Sequence, residues 1–303
     1  MSSDWTRRNA IQLGAALAVA PLLSFARNET MLTRAIPASG EALPVIGLGT
    51  YRVFEVARTP ANIAARGEIV ELMVQKGASL IDSSPMYGRA EDMIGEVIRA
   101  GSLRDRLFLA TKVWTDGRAA GKRQMRASGE RMNAGVIDLM QVHNLRDTQA
   151  HLATIRGWQA EGRIRYNGVT HYHEGALGDL EAVMNEHEPD FIQINYSLAE
   201  RAADQRVLPL AEELGIAVLV NRPFVQGRLF RAVADRPLPD WAGEFAASWG
   251  QFFLKFIVSH PAVTCVIPAT SKLHHMADNL GAGFGALPDD RTRRRMTDYF
   301  DSL

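Results

Sequence analysis

Short apolar runs alternate with longer segments of mixed polarity along most of the chain. Strands of a parallel sheet that is covered on both faces read as continuous apolar runs, rich in Val, Ile and Leu. We therefore predict strands at eight runs: VIGLGT (45–50), SLIDSS (79–84), LFLATKV (107–113), DLMQVHN (138–144), IRYNGVT (164–170), FIQINY (191–196), AVLVNR (217–222) and VTCVIPA (263–269).

The segments between these runs have the periodicity of amphipathic helices. The apolar face of the first, ANIAARGEIVELMVQKG (61–77), comprises Ile63, Ile69, Val70, Met73 and Val74. Further helices are predicted at TQAHLATIRGWQAEG (148–162), EGALGDLEAVMNEHE (174–188) and PDDRTRRRMTDYFDSL (288–303). Strands and helices that alternate in this way predict an α/β fold, a parallel sheet closed into a (β/α)8 TIM barrel, which typically needs about 250 residues.

Two segments depart from the strand–helix alternation. Residues 31–50 read as a short hairpin with its turn at Ser39-Gly40, leading into the first barrel strand. The longest interruption, VQGRLFRAVADRPLPDWAGE (225–244), follows the seventh strand and is predicted to be a mobile cover.

A doubly wound dinucleotide fold is the main rival to the barrel. That fold requires G-x-G-x-x-G directly after an early strand. The early GLGTYR (47–52) has only the first two glycines, and GAGFGA (281–286) follows a helix near the C-terminus. The barrel is therefore favoured.

The first 26 residues resemble an export signal. The basic TRRNAIQ (6–12) precedes the uncharged LGAALAVAPLLSFA (13–26), which ends in the small-x-small pattern Ser24-Phe25-Ala26 and is shorter than the ~20 apolar residues that span a bilayer. Adjacent Arg7 and Arg8 suggest the twin-arginine export machinery as partner, although Ala10 replaces the usual bulky apolar residue. We expect a periplasmic protein whose barrel domain covers 31–303, without an integral membrane segment.

Other readings of this segment stay open. It could form an amphipathic N-terminal helix or an uncleaved anchor. Initiation at Met31 would instead yield a cytoplasmic protein with the same barrel.

Composition excludes some partners. The chain has 34 basic and 34 acidic residues, so no net charge points to nucleic acid or an anionic membrane surface. Its single cysteine, Cys265, lies in the apolar VTCVIP and is predicted to be a buried, inert thiol.

Polar residues follow or end three neighbouring strands. Asp82 ends the second strand and Tyr87 lies in the loop after it, while Lys112 and His143 end the third and fourth. Barrel active sites form at these carboxyl ends, so the four side chains should converge. Singly, each is more often an ion pair, a cap or a packing residue, but all four in order are unlikely to be a coincidence.

This set of side chains suits proton transfer to a carbonyl oxygen. An ammonium about 4 Å from a phenol, at an effective dielectric near 20, favours the phenolate by up to ~4 kcal/mol. We therefore expect Lys112 to lower the pKa of Tyr87, Asp82 to keep Lys112 charged, and His143 to complete the site. No metal is required.

The chain resembles the aldo-keto reductase superfamily from about Met31 to Asn279. The resemblance rests on GLGTY (47–51), Asp82 with the following SSPMYG (83–88), TKVW (111–114), QVHN (141–144), GRIRYNGVTHY (162–172), QINY (193–196), RPF (222–224) and IPAT (267–270), together with the opening hairpin, which closes the barrel floor in this family. It implies an NAD(P)H-dependent reductase of small carbonyl compounds. By the same resemblance Asp82, Tyr87, Lys112 and His143 form the catalytic tetrad, with Tyr87 as proton donor.

The resemblance also implies a cofactor site. Thr50, Tyr51 and Asp82 would lie near the nicotinamide and substrate, and Thr170, His171 and Gln193 would hold the carboxamide. The strand-seven loop supplies Asn221 at the ring-stacking position and Arg222, Pro223 and Phe224 at the pyrophosphate, while Ala269, Thr270, His275 and Asn279 surround the adenosine end.

Three departures from the family pattern stand out. Thr170-His171 replaces the usual Ser-Asn, and Asn221 replaces an aromatic residue that stacks on the nicotinamide. We hypothesise that the guanidinium of Arg222 covers the ring or binds a phosphate instead. Ala269 and His275 replace a Lys and an Arg of NADPH-selective members, which weakens the pattern, but Lys272 and a charged His275 could still pair with a 2′-phosphate. NADPH is therefore favoured, with NADH possible.

Two other functions are alternatives to a reductase. The barrel could bind the cofactor as a redox-sensing or partner-binding subunit with little turnover. A metal-dependent barrel hydrolase would need clustered ligands, which the histidines at 171, 173, 274 and 275 do not offer at metal-like spacing. Trp114 is predicted to be a pocket wall.

Overall fold

The computed structural model describes residues 30–303, so the predicted export signal lies outside the described residues. A hairpin of β1 (Thr33–Ala35) and β2 (Ala42–Pro44) comes first. Eight barrel strands follow: β3 (Leu48–Gly49), β4 (Leu80–Asp82), β5 (Phe108–Val113), β6 (Ile137–His143), β7 (Ile164–Thr170), β8 (Phe191–Asn195), β9 (Ala217–Asn221) and β10 (Val263–Val266).

Helices lie between and after these strands. They are α1 (Pro60–Gln75), α2 (Ala90–Gly101), α3 (Arg118–Arg131), α4 (Thr148–Ala160), α5 (Leu177–His187), α6 (Val207–Glu213), α7 (Arg228–Ala232), α8 (Trp249–Val258), α9 (Leu273–Gly281) and α10 (Asp290–Asp301). Helix α1 begins at Thr59, whose side chain accepts a hydrogen bond from the Asn62 backbone N–H, with Pro60 in the first turn. No helix among residues 30–303 is long and apolar enough to cross a membrane.

The barrel strands pair in parallel in chain order from β3 to β10. Short bridges from Ile46 to Val266 and from Gly49 to Ala269 join the two ends of this sheet. A Cβ on Gly49 would lie 2.8 Å from the backbone oxygen of Ile267, so closure at this position requires glycine. The predicted (β/α)8 barrel and its eight strands are confirmed.

Side chains alternate between the barrel interior and the surrounding helices, as the period of a strand requires. The lower interior is an apolar cluster of Ile36, Leu43, Leu80, Phe108, Ala110, Leu139, Tyr166, Phe191, Ala217, Leu219, Cys265 and Ile267. Two positions further along four of these strands, polar residues follow: Asp82, Lys112, Gln141 and Gln193. The barrel is thus apolar at its floor and polar towards its carboxyl ends.

The hairpin closes the barrel floor. Ile36 and Leu43 contribute to the same apolar cluster as the lower strand residues. Ser39 Oγ lies 2.6 Å from the hydroxyl of Tyr166, which donates to the carboxylate of Glu41 at 2.6 Å. The predicted hairpin and its position are therefore confirmed.

The segment at 225–244 has some structure of its own. It contains α7 and two short 3-10 turns, Val225–Gly227 and Asp240–Glu244. Phe230 of α7 packs on Phe224 with ring centroids 4.9 Å apart. Its predicted mobility stays a prediction.

Candidate active site

Asp82 and Lys112 form an ion pair at the carboxyl ends of β4 and β5. Lys112 Nζ donates to Asp82 Oδ2 at 2.6 Å and to the backbone oxygen of Ser83 at 2.7 Å. Burial alone would lower the pKa of Lys112, but the Asp82 carboxylate and Tyr87 raise it above its ordinary value. Lys112 therefore stays charged in the interior.

Two amides bind the other carboxylate oxygen of Asp82. Gln193 Nε2 and Gln141 Nε2 donate to Asp82 Oδ1 at 2.8 and 3.1 Å, and Gln193 Nε2 also reaches Gln141 Oε1 at 3.1 Å. Thr50 fixes the backbone of the same residue, because its hydroxyl donates to Asp82 O at 2.9 Å. Side chains from β6, β8 and the turn after β3 thus hold Asp82 in addition to Lys112.

Tyr87 lies above this ion pair in the loop after β4. Lys112 Nζ is 5.2 Å from the centroid of its ring, and the centroid of the Tyr51 ring is 5.0 Å away. Burial raises the pKa of Tyr87, and the positive charge of Lys112 opposes this rise without cancelling it. Lys112 thus lowers the pKa of Tyr87 as expected, but the cost of burying a phenolate exceeds this attraction, and the net shift is upward.

His143 completes the group from the end of β6. Its ring centroid lies 6.2 Å from that of Tyr87, edge to face. Burial, with Lys112 and His171 adding to it, lowers the pKa of His143 to about 3. His143 is therefore neutral at physiological pH.

Ser84 contacts one ring nitrogen of His143. Ser84 Oγ lies 3.2 Å from His143 Nδ1 and accepts from the Met86 backbone N–H at 3.2 Å. A hydroxyl that accepts from Met86 is free to donate its own proton to Nδ1. This arrangement favours the tautomer in which Nε2 bears the hydrogen.

A cleft of about 710 Å³ opens over these side chains at the carboxyl end of the barrel. The residues of the predicted site that line it are Thr50, Tyr51, Asp82, Tyr87, His143, Thr170, Gln193, Asn221, Arg222, Pro223, Phe224 and Ala269. Trp114, the predicted wall, also lines it. Lys112 lies beneath the cleft, in contact with Asp82.

Four predicted cofactor residues are not among those that line the cleft. The ring of His171 stacks on Tyr172 at 5.5 Å, and its Nδ1 accepts from the Tyr172 backbone N–H. Thr270 is buried just before α9, where its hydroxyl oxygen accepts from the Lys272 N–H at 3.1 Å. His275 and Asn279 lie on α9, the first exposed and the second buried.

Asn221 occupies the space beside Gln193. Its Nδ2 donates to the backbone oxygen of His171 at 3.0 Å and to Gln193 Oε1 at 3.3 Å. Gln193 Oε1 also accepts from the Thr170 hydroxyl at 3.2 Å. Asn221, Thr170 and Gln193 thus form one polar cluster that continues to Asp82.

The loop after β9 is strained. Arg222, Val225 and Gln226 have φ values of 51°, 47° and 53°, a region that costs non-glycine residues about 1–3 kcal/mol each. Arg222 Nη2 lies 3.7 Å from Glu200 Oε1, and its guanidinium is 5.9 Å from the Tyr172 ring. Such strain is typical of segments that bind ligands.

Three buried polar atoms that belong to residues of the cleft have no hydrogen-bond partner among the described residues. They are Asn144 Oδ1, Asn221 Oδ1 and Arg222 Nε. A buried polar atom without a partner costs about 1–3 kcal/mol. Where these residues meet, the cleft therefore has polar atoms that are available to form hydrogen bonds.

The described part of the chain has no group of three or more His, Cys, Asp or Glu side chains that could hold a metal ion. Cys265 is buried inside the barrel, and burial raises the pKa of its thiol. The predicted inert thiol is confirmed.

Sequence reasoning missed two residues of this arrangement, Ser84 and Gln141. Gln141 carried a signal, since it is polar inside the apolar run of β6 and shares the face of His143 two positions on. Ser84 carried none.

Comparisons with known proteins agree with this arrangement. The model of the Aldo/keto reductase family matches residues 45–295. The methylglyoxal reductase YeaE of Escherichia coli is 28% identical over 259 residues, which cover 82% of this chain and 89% of that protein.

Solved structures resemble the chain over most of its length. An aldo-keto reductase from Klebsiella pneumoniae in complex with NADPH superimposes with a TM-score of 0.76, at 25% identity, covering 89% of this chain and 96% of that one. One from the same organism in complex with NADP and acetate has a TM-score of 0.74 at 24% identity, covering 86% and 93%.

Proposed function

The chain belongs to the aldo/keto reductase family, and we propose that it reduces aldehydes or ketones to alcohols with NADPH. The observation that carries this proposal is the buried Asp82–Lys112 pair beneath Tyr87, with neutral His143 beside it at the mouth of the barrel. When bound, NADPH supplies a hydride to the carbonyl carbon.

Tyr87 is the general acid. Because burial raises its pKa, the phenol holds its proton at neutral pH and donates it to the carbonyl oxygen as negative charge develops there. Lys112 offsets the charge then left on the phenolate, and Asp82 keeps Lys112 charged and oriented. The carbonyl becomes an alcohol, and Tyr87 regains a proton from water.

His143 is a neutral hydrogen-bond donor to the same oxygen. Its low pKa keeps it uncharged, and the contact with Ser84 Oγ directs the ring hydrogen to Nε2. A neutral donor stabilises the developing oxyanion without competing with Tyr87 for the proton-transfer step.

The polar groups of the cleft suit a nicotinamide dinucleotide. A carboxamide offers N–H donors for a carbonyl oxygen such as Asn221 Oδ1, and phosphate oxygens accept from a guanidinium such as that of Arg222. The similar Klebsiella pneumoniae enzyme that holds NADPH supports this choice of cofactor. Arg222→Ala should weaken cofactor binding, and unchanged affinity would remove Arg222 from the site.

Asn221 is proposed to replace the family's asparagine as a carboxamide ligand. The residue at that family position is His171, whose ring packs on Tyr172, whereas the Asn221 amide joins Thr170 and Gln193. The chain thus lacks both the aromatic residue expected at 221 and the amide expected at 171, and the amide of Asn221 takes the place of the latter.

Selectivity for NADPH is proposed to depend on Lys272 and His275. Lys272 and His275 are both exposed at the start of α9. Ala269 and His275 occupy the positions at which NADPH-selective members of the family usually have a Lys and an Arg. Either cation could pair with a 2′-phosphate, which NADH lacks.

The test is a screen of small aldehydes and ketones with NADPH and with NADH, followed by loss of absorbance of the reduced cofactor. Tyr87→Phe should lower kcat about 100-fold or more while cofactor binding, measured by fluorescence titration, persists. Tight binding without turnover on any substrate would favour the alternative, a redox-sensing or partner-binding subunit.

We further propose that residues 1–26 direct twin-arginine export to the periplasm. The support is the sequence alone: Arg7-Arg8 before an uncharged run. Fractionation of cells that express the full chain or Arg7→Lys/Arg8→Lys tests it. A protein that stays in the cytoplasm in both cases would contradict export, as would initiation at Met31.

A further inference from the structure

Arg52 is a cation at the mouth of the cleft that pairs with no carboxylate of the described chain. It lines the cleft, and no Asp or Glu oxygen of residues 30–303 lies within 4.0 Å of its guanidinium. Arg222, the other guanidinium that lines the cleft, lies 3.7 Å from Glu200. The lining carboxylate of Asp82 is bound to Lys112, so the cleft has an excess of positive charge.

The backbone holds Arg52 in place. The residue lies in the left-handed region at a φ of 63°, within a turn in which Val53 N donates to Thr50 O at 3.2 Å. Thr50 is tied to Asp82 and Phe54 is fully buried, so the turn is anchored at both ends. A strained position is retained where the surroundings determine it and is often functional.

Arg52 is close to the proposed proton donor. Its Cζ lies 5.1 Å from the centroid of the Tyr51 ring, which is 5.0 Å from the ring of Tyr87. Only the side chain of Tyr51 therefore separates a substrate carbonyl group at Tyr87 from an anionic group at Arg52.

The cleft also has an apolar part near Tyr87. Tyr51 and Met86 are 47% and 44% exposed, and Trp114 also lines the cleft. The Trp114 ring is covered by the guanidinium of Arg146, itself paired with Asp116. This wall suits the body of a small hydrophobic molecule.

We propose that the substrate is an aldehyde or ketone that carries a carboxylate, which Arg52 binds. A guanidinium matches a carboxylate in a planar, bidentate geometry. The apolar body of the substrate lies against Tyr51 and Met86, and its carbonyl oxygen lies at Tyr87. The inference rests on the proposed reductase activity.

Matched pairs of substrates test the role of Arg52. We would compare 4-carboxybenzaldehyde with its methyl ester and succinic semialdehyde with its methyl ester, and express the result as the acid-to-ester ratio of kcat/KM. The wild type should favour the acids, mainly through KM. Arg52→Met should lower the ratio about fivefold, as for an exposed ion pair, and added salt should lower it in the wild type.

Arg58→Met is the matched control. Arg58 lies on the same loop but pairs with Asp92 and Glu96, and it does not line the cleft, so the ratio should keep its wild-type value. A wild type that reduces acids and esters equally, or an Arg52→Met variant with an unchanged ratio, would overturn the inference and leave the reductase activity standing. Failure to reduce any carbonyl compound would instead overturn the proposed function.

Discussion

Lys112 Nζ lies 2.6 Å from Asp82 Oδ2, and the two side chains are only 1% and 3% exposed. Removing one partner of such a pair leaves the other charge buried without compensation, which costs about 3–5 kcal/mol. The pair beneath Tyr87 is therefore part of the stability of the barrel as well as of its chemistry.

Lys112→Met should lower the free energy of unfolding by about 3 kcal/mol or more, because Asp82 is left uncompensated. Urea denaturation monitored by circular dichroism measures the loss. The double variant Asp82→Asn/Lys112→Met should recover part of it while staying inactive. A single variant within about 1 kcal/mol of the wild type would show that Asp82 takes up a proton or finds another partner.

Stability should depend on the protonation of His143. Its pKa is about 3 in the folded protein and about 6.5 when unfolded, so between these values only the unfolded chain binds the proton. Stability therefore falls as the pH falls from 6.5 towards 3, by about 1.4 kcal/mol per unit from this residue, and the contribution is constant above 6.5.

His143→Gln should reduce that slope, because glutamine does not titrate. The measurement is the free energy of unfolding at several pH values for both proteins. The other histidines with lowered pKa values, His171, His260 and His275, are present in both proteins, so their contributions cancel in the difference. Parallel pH profiles would contradict the low pKa of His143.

Ser84→Ala should lower kcat about fivefold, the effect of one lost hydrogen bond, because His143 Nδ1 loses its donor and the ring can adopt the other tautomer. The ¹⁵N shifts of the His143 ring report the tautomer directly. In a His143→Gln background, Ser84→Ala should cost nothing further. An equal loss in both backgrounds would assign Ser84 a role independent of His143.

The sequence predicted the barrel well because its strands are buried on both faces, and an apolar run alone locates such a strand. Strand β3 departs most from its predicted bounds, 45–50, because Leu48–Gly49 is the regular strand and Ile46 reaches β10 only through an isolated bridge. Strands β4 and β10 are also shorter than the predicted 79–84 and 263–269. The convergence of Asp82, Lys112 and His143 likewise follows from their places at strand ends.

The sequence could not predict how strongly the side chains of the site are desolvated by burial. A charge next to Tyr87 could be inferred from Lys112 on the next strand, but the cost of desolvating the phenol depends on everything packed around it. The contact between Ser84 and His143 depends on a loop conformation, and no pattern in residues 82–88 encodes it.

Asn221→Ala should raise the dissociation constant for NADPH about tenfold, if its amide holds the carboxamide. His171→Ala is the comparison, since only its backbone oxygen contacts Asn221, and it should bind the cofactor normally. Fluorescence titration measures both. If His171→Ala weakened NADPH binding and Asn221→Ala did not, the carboxamide ligand would be His171.

The preference for NADPH over NADH should grow as the pH falls. Burial, His274 and Lys272 lower the pKa of His275, so it is mostly neutral near pH 7 and must take up a proton to pair with a 2′-phosphate. The ratio of the two dissociation constants at pH 6.5 and pH 8 measures this, and His275→Ala should reduce its dependence on pH; the dependence that remains belongs to the 2′-phosphate, which itself titrates at about pH 6. A flat ratio in the wild type would exclude His275 from the phosphate.

The hairpin at the barrel floor has a consequence for the supply of protons. Ile36 and Leu43, with the apolar residues above them, separate Lys112 and Tyr87 from the water below the barrel. Under the proposed chemistry, the proton that Tyr87 donates is therefore replaced from the cleft side, where the substrate binds. Reprotonation of Tyr87 by water should then follow release of the alcohol.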